Sequence, residues 1–210
     1  MENRTLNLFD LKGRVCIITG AAGLLGPKHA EALLDAGADI ALIDINKDKL
    51  TDVGRQLSEL YPQSRIICCV VDITKEEDVK SATESIVSKL GKINVLINNA
   101  ANNTAVTKND SAGFTRLEDF PIEVWNRDIE VGLTGAFLMS KYIGRHMAAS
   151  GGGVILNIAS DISVIAPDQR IYRKPGLAPD QQPVKPVSYW IIKTGLIGLT
   201  RYLATYWPDK

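Results

Sequence analysis

TGAAGLLG, residues 19–26, joins an apolar run, RVCIIT at residues 14–19, to a helical pattern over residues 24–36. A β-branched run, a glycine-rich turn and a helix, in that order, open a βαβ unit. Gly20, Gly23 and Gly26 permit a tight turn and close backbone approach, and Pro27 is tolerated in a first helical turn, where its missing N–H has no helical partner to lose. Gly37 stops the helix, and DIALID, residues 39–44, supplies the next strand.

The alternation continues outward from that unit. Leu50, Val53, Leu57 and Leu60 recur at helical spacing, and RIICCVV, residues 65–71, forms a third strand closed by Asp72. Thr74 and Glu77 have the spacing of a capping box ahead of a helix that carries Val79, Ile86 and Leu90 and stops at Gly91. INVLI, residues 93–97, is a fourth strand, followed by a polar loop over residues 98–113. Pro121 opens a long helix with the apolar stripe Trp125, Ile129, Leu133, Phe137, Ile143 and Met147, ended by Gly151, Gly152 and Gly153. VILNIA, residues 154–159, is a fifth strand. Residues 161–187 hold Pro167, Pro175, Pro179, Pro183 and Pro186, which exclude a regular helix or central strand there. A last helix over residues 188–207 ends at Pro208. The expected fold is α/β: a doubly wound parallel sheet of Rossmann type, three layers deep, in one domain over residues 1–210, with a Pro-rich insertion near 165–187.

Composition narrows the function classes. The chain has 210 residues, 45% of them hydrophobic, enough for one sizeable core. Its 24 basic residues balance 24 acidic ones, so no overall positive field draws nucleic acid or an anionic membrane. No apolar run has the length of a membrane span, and residues 1–12 resemble neither a secretory signal nor a transit peptide, which makes the cytoplasm the expected compartment. Cys16, Cys68 and Cys69 lack metal-ligand spacing and cannot build a disulfide framework; buried thiols are expected, and no metal.

The turn at residues 19–26 lies where a doubly wound sheet holds a pyrophosphate, against backbone N–H groups and the positive end of a helix. Its bland alternative is a purely structural turn. Gly20, Gly23, Leu25 and Gly26 are the candidate phosphate cradle. Asp44, 18 residues after Gly26, ends the second strand, where a carboxylate can take both hydroxyls of an adenosine ribose and repel a 2′-phosphate. That favours NAD over NADP, although Asp44 could instead cap a turn with Asn46, and Lys47 and Lys49 would soften the repulsion. Asp72, with Ile73 beside it, could cap its helix or reach an adenine amino group. Asn99 and Ala100 end the fourth strand at the same edge, to hold the loop or line the cofactor.

Tyr189 and Lys193 are four residues apart and share a helical face. A phenol titrates near pH 10, too high for acid–base work at neutrality, and a neighbouring ammonium stabilises its phenolate. Tyr206 and Lys210 repeat the spacing, but Pro208 stands between them. Ser160 follows the fifth strand and could polarise a carbonyl there, or merely close a turn.

Taken in order, Leu11, Lys12, Gly13 and Arg14, the turn at 19–26, Asp44, Asp72, the Asn98, Asn99, Ala100 run, the Asn157 to Ser160 run and the Tyr189/Lys193 pair resemble the short-chain dehydrogenase/reductase family over nearly the whole chain. The resemblance implies that Tyr189 is the general acid/base, that Lys193 lowers its pKa and binds the nicotinamide ribose, and that Ser160 orients an alcohol or carbonyl substrate while hydride passes to or from NAD. It also implies a homodimer or homotetramer paired through the two long helices. The Tyr–Lys helix and the glycine turn bear a fainter likeness to a flagellin-modification branch linked to nonulosonic acid sugars.

Four departures qualify these expectations. The TGxxGxxG spacing looks more like the extended branch of the family. Gly132 stands where an asparagine usually supports a proton-relay water. Ser160 and Tyr189 are far apart, with Tyr172 nearer the customary offset but followed by Gly176 where the lysine belongs. The family's C-terminal part is not found after the last helix, which suggests a fragment. Gly132 and that missing part keep a second function open, a nicotinamide-nucleotide-binding scaffold or regulator without turnover.

Overall fold

Successive residues of a strand face opposite ways, and here the inner strands of the sheet are buried on both faces while the edge strands are partly exposed. The computed structural model describes residues 8–102 and 115–209. Most of the polar loop expected over residues 98–113, residues 1–7 of the mixed-charge start and Lys210 of the Tyr206/Lys210 pair lie outside them.

Strand β1 (Val15–Thr19) leads through the glycine turn into α1 (Gly26–Asp35), and β2 (Asp39–Asp44) into α2 (Lys47–Leu60). Then come β3 (Ile66–Val70), α3 (Glu76–Leu90) and β4 (Val95–Asn98). The long helical stretch is α4 (Ile122–Ile129), a π turn (Glu130–Thr134) and α5 (Gly135–Ala149), followed by β5 (Val154–Asn157) and, after three short 3-10 turns, α6 (Val187–Tyr206). All pairings are parallel, in the order β3-β2-β1-β4-β5. Ile17 lies opposite both Ala41 and Leu96, at the centre of the sheet. Strand order reverses between β1 and β4, the switch point where such sheets form a crevice beyond the strands' carboxyl ends.

The core divides by face. Ile17, Ile43 and Leu96 pack with Val79 and Ile86 of α3 and Met139 and Ile143 of α5. Ile18, Ile40 and Leu42 pack with Ala30 and Leu34 of α1 and Leu50 and Leu57 of α2. Each such buried side chain contributes roughly 1.5–3 kcal/mol relative to exposure. The expected three layers are present.

Four expectations need correction. The pairing of Thr74 with Glu77 is not a capping box: the Thr74 hydroxyl donates to Asp72 Oδ1 at 2.7 Å, and Lys75 sits at the N-cap without a side-chain cap. The acidic first turn, Glu76, Glu77 and Asp78, complements the helix dipole in its place. The long helix is not continuous, because the π turn widens one turn and moves the apolar stripe: Phe137 is 49% exposed while Leu138 and Met139 are buried. Helix α1 starts at Gly26 rather than at residue 24, with Leu25 as N-cap and Pro27 in the first turn. Of the three thiols only Cys16 is buried, with its pKa pushed up to about 12 by burial; Cys68 is exposed because β3 is an edge strand.

Residues 161–187 form no α-helix before Val187 and no strand, as their prolines require. They are braced by side chains: Val184 N donates to Thr115 Oγ1, Trp190 Nε1 to the Ile165 carbonyl and Thr194 Oγ1 to the Ser163 carbonyl. No helix is long and apolar enough to cross a membrane among the described residues.

Candidate active site

The glycine turn needs its glycines for two reasons. Gly20 has φ +64°, in the left-handed region, and a Cβ there would stand 2.8 Å from Ala100 Cα. At Gly26 a Cβ would come within 2.5 Å of the Gly20 carbonyl oxygen. Thr19 ties the turn to β4: its Oγ1 accepts from the N–H groups of Asn99 and Ala100, both at 3.1 Å. Asn99 Nδ2 donates to the carbonyls of Thr19 and Gly20. The loop-holding role is thus the one its amide performs.

Asp44 is engaged twice. Oδ2 accepts from Ala22 N and Oδ1 from Asn46 N, both at 2.9 Å. The carboxylate therefore closes its own turn and also pins the glycine turn against the end of β2, with lone pairs left for a further donor. Asp72 accepts from the Thr74 N–H and hydroxyl, and Lys75 lies 3.7 Å away. Burial pushes its pKa up, but those hydrogen bonds and the ammonium outweigh it and hold the carboxyl below its usual range.

These residues meet in one cleft of about 470 Å³ at the carboxyl edge of the sheet. Its lining includes Gly20, Gly23, Leu25, Asp44, Asp72, Ile73, Asn99 and Ala100 on one side and Tyr189 and Lys193 on the other. Lys49 lines it as well, whereas Lys47 is not among the lining residues.

Helix α6 carries the Tyr189/Lys193 pair. Lys193 is buried, and its ammonium donates to the Ile158 carbonyl at 2.5 Å, just past β5. It stands 5.7 Å from the centre of the Tyr189 ring. Burial, with the like charge of Lys185, pushes the Lys193 pKa down. Two candidates are not among the lining residues: Gly26, buried at the start of α1, and Ser160, whose hydroxyl donates to Asp161 Oδ1 at 2.9 Å and whose N–H donates to Ser163 Oγ. Tyr172 lies in a 3-10 turn and does not line the cleft.

Two features escaped the sequence. Lys185 places its ammonium 3.7 Å from the centre of the Tyr189 ring; its spacing from Tyr189 mirrors that of Lys193, but Pro186 hides it from any helical pattern. Asp128 of α4 is buried and accepts from Asn102 Nδ2 at 2.9 Å and from the Ser188 hydroxyl. It fastens the first turn of α6 to α4. A polar residue inside an apolar stripe was its only signal.

Residues 14–172 match the short-chain dehydrogenase model. The chain belongs to the short-chain dehydrogenase family. It is 35% identical over 199 residues to an NAD-dependent glycerol dehydrogenase of Listeria innocua, across 95% of this chain and 66% of that protein. A D-threitol dehydrogenase of Mycolicibacterium smegmatis is 30% identical over 96% of this chain and 67% of its own length. Among solved structures, NAD+-bound xylitol dehydrogenase superposes with a TM-score of 0.77 at 29% identity, over 94% of this chain and 66% of that one. The chain thus spans about two thirds of these relatives' length. The short-chain dehydrogenase match stops at residue 172, before the Tyr189/Lys193 pair.

Proposed function

We propose that this protein is an oxidoreductase that transfers hydride between NAD and a secondary alcohol or its ketone, with small polyols the substrate class suggested by the glycerol, threitol and xylitol enzymes it is similar to. The observation that carries the reading is the meeting of the glycine turn, Asp44 and the Tyr189/Lys193 pair in one cleft at the switch point. The turn fits a dinucleotide: Gly20 and Gly23 line the cleft with bare backbone, and the turn closes this tightly because no Cβ stands between Gly20 and Ala100 or between Gly26 and the Gly20 carbonyl. Gly20, Gly23 and Leu25 would face the pyrophosphate with Gly26 starting the helix behind them, Asp44 the adenosine ribose, Asp72 and Ile73 the adenine, and Asn99, Ala100 and Lys193 the nicotinamide side.

NAD, when held by these residues, would supply the acceptor for the alcohol's hydride and, in the reverse direction, the donor to the ketone. Tyr189 takes the hydroxyl proton as the carbonyl forms, and gives it back in the reverse direction. The Lys193 ammonium, 5.7 Å from the centre of the Tyr189 ring, would supply positive charge on that side of the cleft. Ser160 would orient the substrate oxygen, which requires its hydroxyl to turn from Asp161. Mixing the protein with NAD and a polyol series while following NADH absorbance tests this. Turnover that disappears in Tyr189→Phe supports it, and no turnover with a demonstrably bound cofactor overturns it.

One observation favours the second reading, a nucleotide-binding scaffold. A Cβ on Gly132 would lie 2.7 Å from Ile192 Cγ2, so that space is filled by hydrocarbon and offers no amide to a relay water. Bound NAD without turnover is its signature.

The chain as one domain with an insertion near 165–187, a cytoplasmic location and a symmetric dimer or tetramer belong to the same proposal. Phe137 of α5 and Tyr202 and Tyr206 of α6 expose aromatic surface that a second copy would cover. Light scattering at micromolar concentration should give at least a dimer.

A further inference from the structure

Lys185 is held in place before any substrate arrives. It lies between Pro183 and Pro186, both buried, and its N–H donates to Gln169 Oε1 at 2.8 Å. Its side chain is half-buried, and the ammonium rests on the face of the Tyr189 ring. Lys193 approaches the same ring from the other end of the first helical turns. Two cations therefore flank one phenol.

The nearby carboxylates are committed elsewhere. Asp128 is taken by Ser188 and Asn102, Asp161 by Ser160 and the Ile162 N–H, and Glu118 stands 3.5 Å from Arg116. Among the described residues no carboxylate forms an ion pair with Lys185. A half-buried cation is costly when unpaired, and the π face of a tyrosine compensates only part of that cost. Burial duly pushes the Lys185 pKa down. Lys185 also lines a second hollow of about 340 Å³ with Arg116, Pro167, Val184 and Trp190, next to Tyr189 on α6. Lys185 thus touches the ring of Tyr189, which lines the cleft of the proposed chemistry, and itself lines a hollow large enough for the body of a small substrate.

We propose that Lys185 is a specificity-determining residue, which selects alcohols or ketones carrying an anionic group, a carboxylate or a phosphate, close to the reacting carbon. The proposal rests on the oxidoreductase reading and narrows it, since the polyols of the similar enzymes are uncharged. An anion seated on Lys185 neutralises a charge that no carboxylate of the described residues pairs, and brings the neighbouring oxygen towards Tyr189. Atoms and electrons balance as in the parent reaction, because the anionic group binds and does not react.

The test compares glycerol, glycerate and glycerol 3-phosphate in the full protein with NAD, read as kcat/KM. At least one anion is expected to exceed glycerol by about tenfold or more, and the choice between the two anions identifies the group. Lys185→Gln should reduce the anion-to-glycerol ratio by about tenfold or more, chiefly through KM, while Lys185→Arg retains most of it. Added salt should raise KM for the anion and not for glycerol in the unaltered protein, a readout that needs no variant to fold. Glycerol preferred over both anions, or an anion preference untouched by Lys185→Gln, overturns the proposal. If nothing is turned over, calorimetry of both anions on the NAD-loaded protein separates the two ideas. Binding that Lys185→Gln weakens tenfold keeps Lys185 as an anion site and removes the oxidoreductase reading, and no binding of either anion overturns the role of Lys185.

Discussion

The side of the cleft proposed for the nucleotide and the side proposed for the chemistry are built by different means. Residues 15–100 form four parallel strands and three helices, so the residues proposed to face the cofactor there sit at or just beyond strand ends that a backbone ladder fixes. Residues 158–186, which lead into α6, come from short turns fixed by prolines and by side-chain hydrogen bonds to the backbone, such as those of Gln182 to Lys174 and Leu177. A ladder repeats and betrays itself by period; a proline-fixed segment has no period to read. Precision on the reactive side depends on a few contacts, and the placement of Tyr189 rests on α6 and its anchor to Asp128.

The comparison breaks first on stability. Ile17 is fully buried at the sheet centre, and Ile17→Ala should cost about 2–5 kcal/mol by urea denaturation, the range for a buried aliphatic truncation. Ile165, 63% exposed in the Pro-rich segment, should change stability by less than about 0.5 kcal/mol when made alanine. Comparable losses at both positions would show that the segment is part of the core.

Next in size is the effect on turnover. Tyr189→Phe should lower kcat by about 10²-fold or more, the usual scale for a lost general acid/base, with NAD affinity preserved. Tyr172→Phe should mainly alter KM. Stopped assays of both variants decide it, and loss of activity from Tyr172→Phe alone would move the reactive group into the insertion.

Much of this arrangement is readable from the residues, and the reasons for the failures are physical. The run DIALID spans β2 residue for residue, because strand ends coincide with charged residues that must leave the sheet. Asp44 and the glycine turn are found by position alone, since a βαβ unit places them. The π turn at Glu130–Thr134 left no trace, because Gly132 and Gly135 read equally well as packing glycines. Lys185 escaped because its neighbour is defined by a ring face across a proline, and Ser160 was assigned by strand end without sight of its bond to Asp161.

Cofactor preference sharpens the account of the nucleotide side. Asp44→Ala removes an acceptor for the ribose and a repulsion toward a 2′-phosphate, with roughly 1–3 kcal/mol at stake for a charge-assisted contact. Calorimetry should show NAD bound more tightly than NADP, and the gap should narrow in the variant. The loss of the Ala22 contact will also loosen the turn, so NAD affinity should fall while NADP affinity changes less.

The smallest effect separates the two sides by sign of charge. Asp72 and Lys193 both have pKa values below their ordinary ones, with opposite meanings. For Asp72 burial is outweighed by Thr74 and Lys75, so its charged form is favoured in the fold; that stabilisation is complete above the unfolded carboxylate pKa of about 4 and is lost as pH falls through the folded value. For Lys193 burial and Lys185 disfavour the charged form, so the fold bears a cost at neutral pH that is relieved as pH rises through the folded value toward the unfolded one of about 10. In both cases the unfolded chain holds the proton more tightly and stability rises with pH, but in separate windows. Each variant loses a hydrogen bond too, so the shape of the difference carries the test and its offset does not. The gap between the unaltered protein and Asp72→Asn should shrink below about pH 4, and the stability of the unaltered protein relative to Lys193→Met should improve toward about pH 10. A flat Lys193 difference across the alkaline range would mean that its ammonium is solvated, and the contrast between a charge the fold welcomes and one it tolerates for the reaction would be lost.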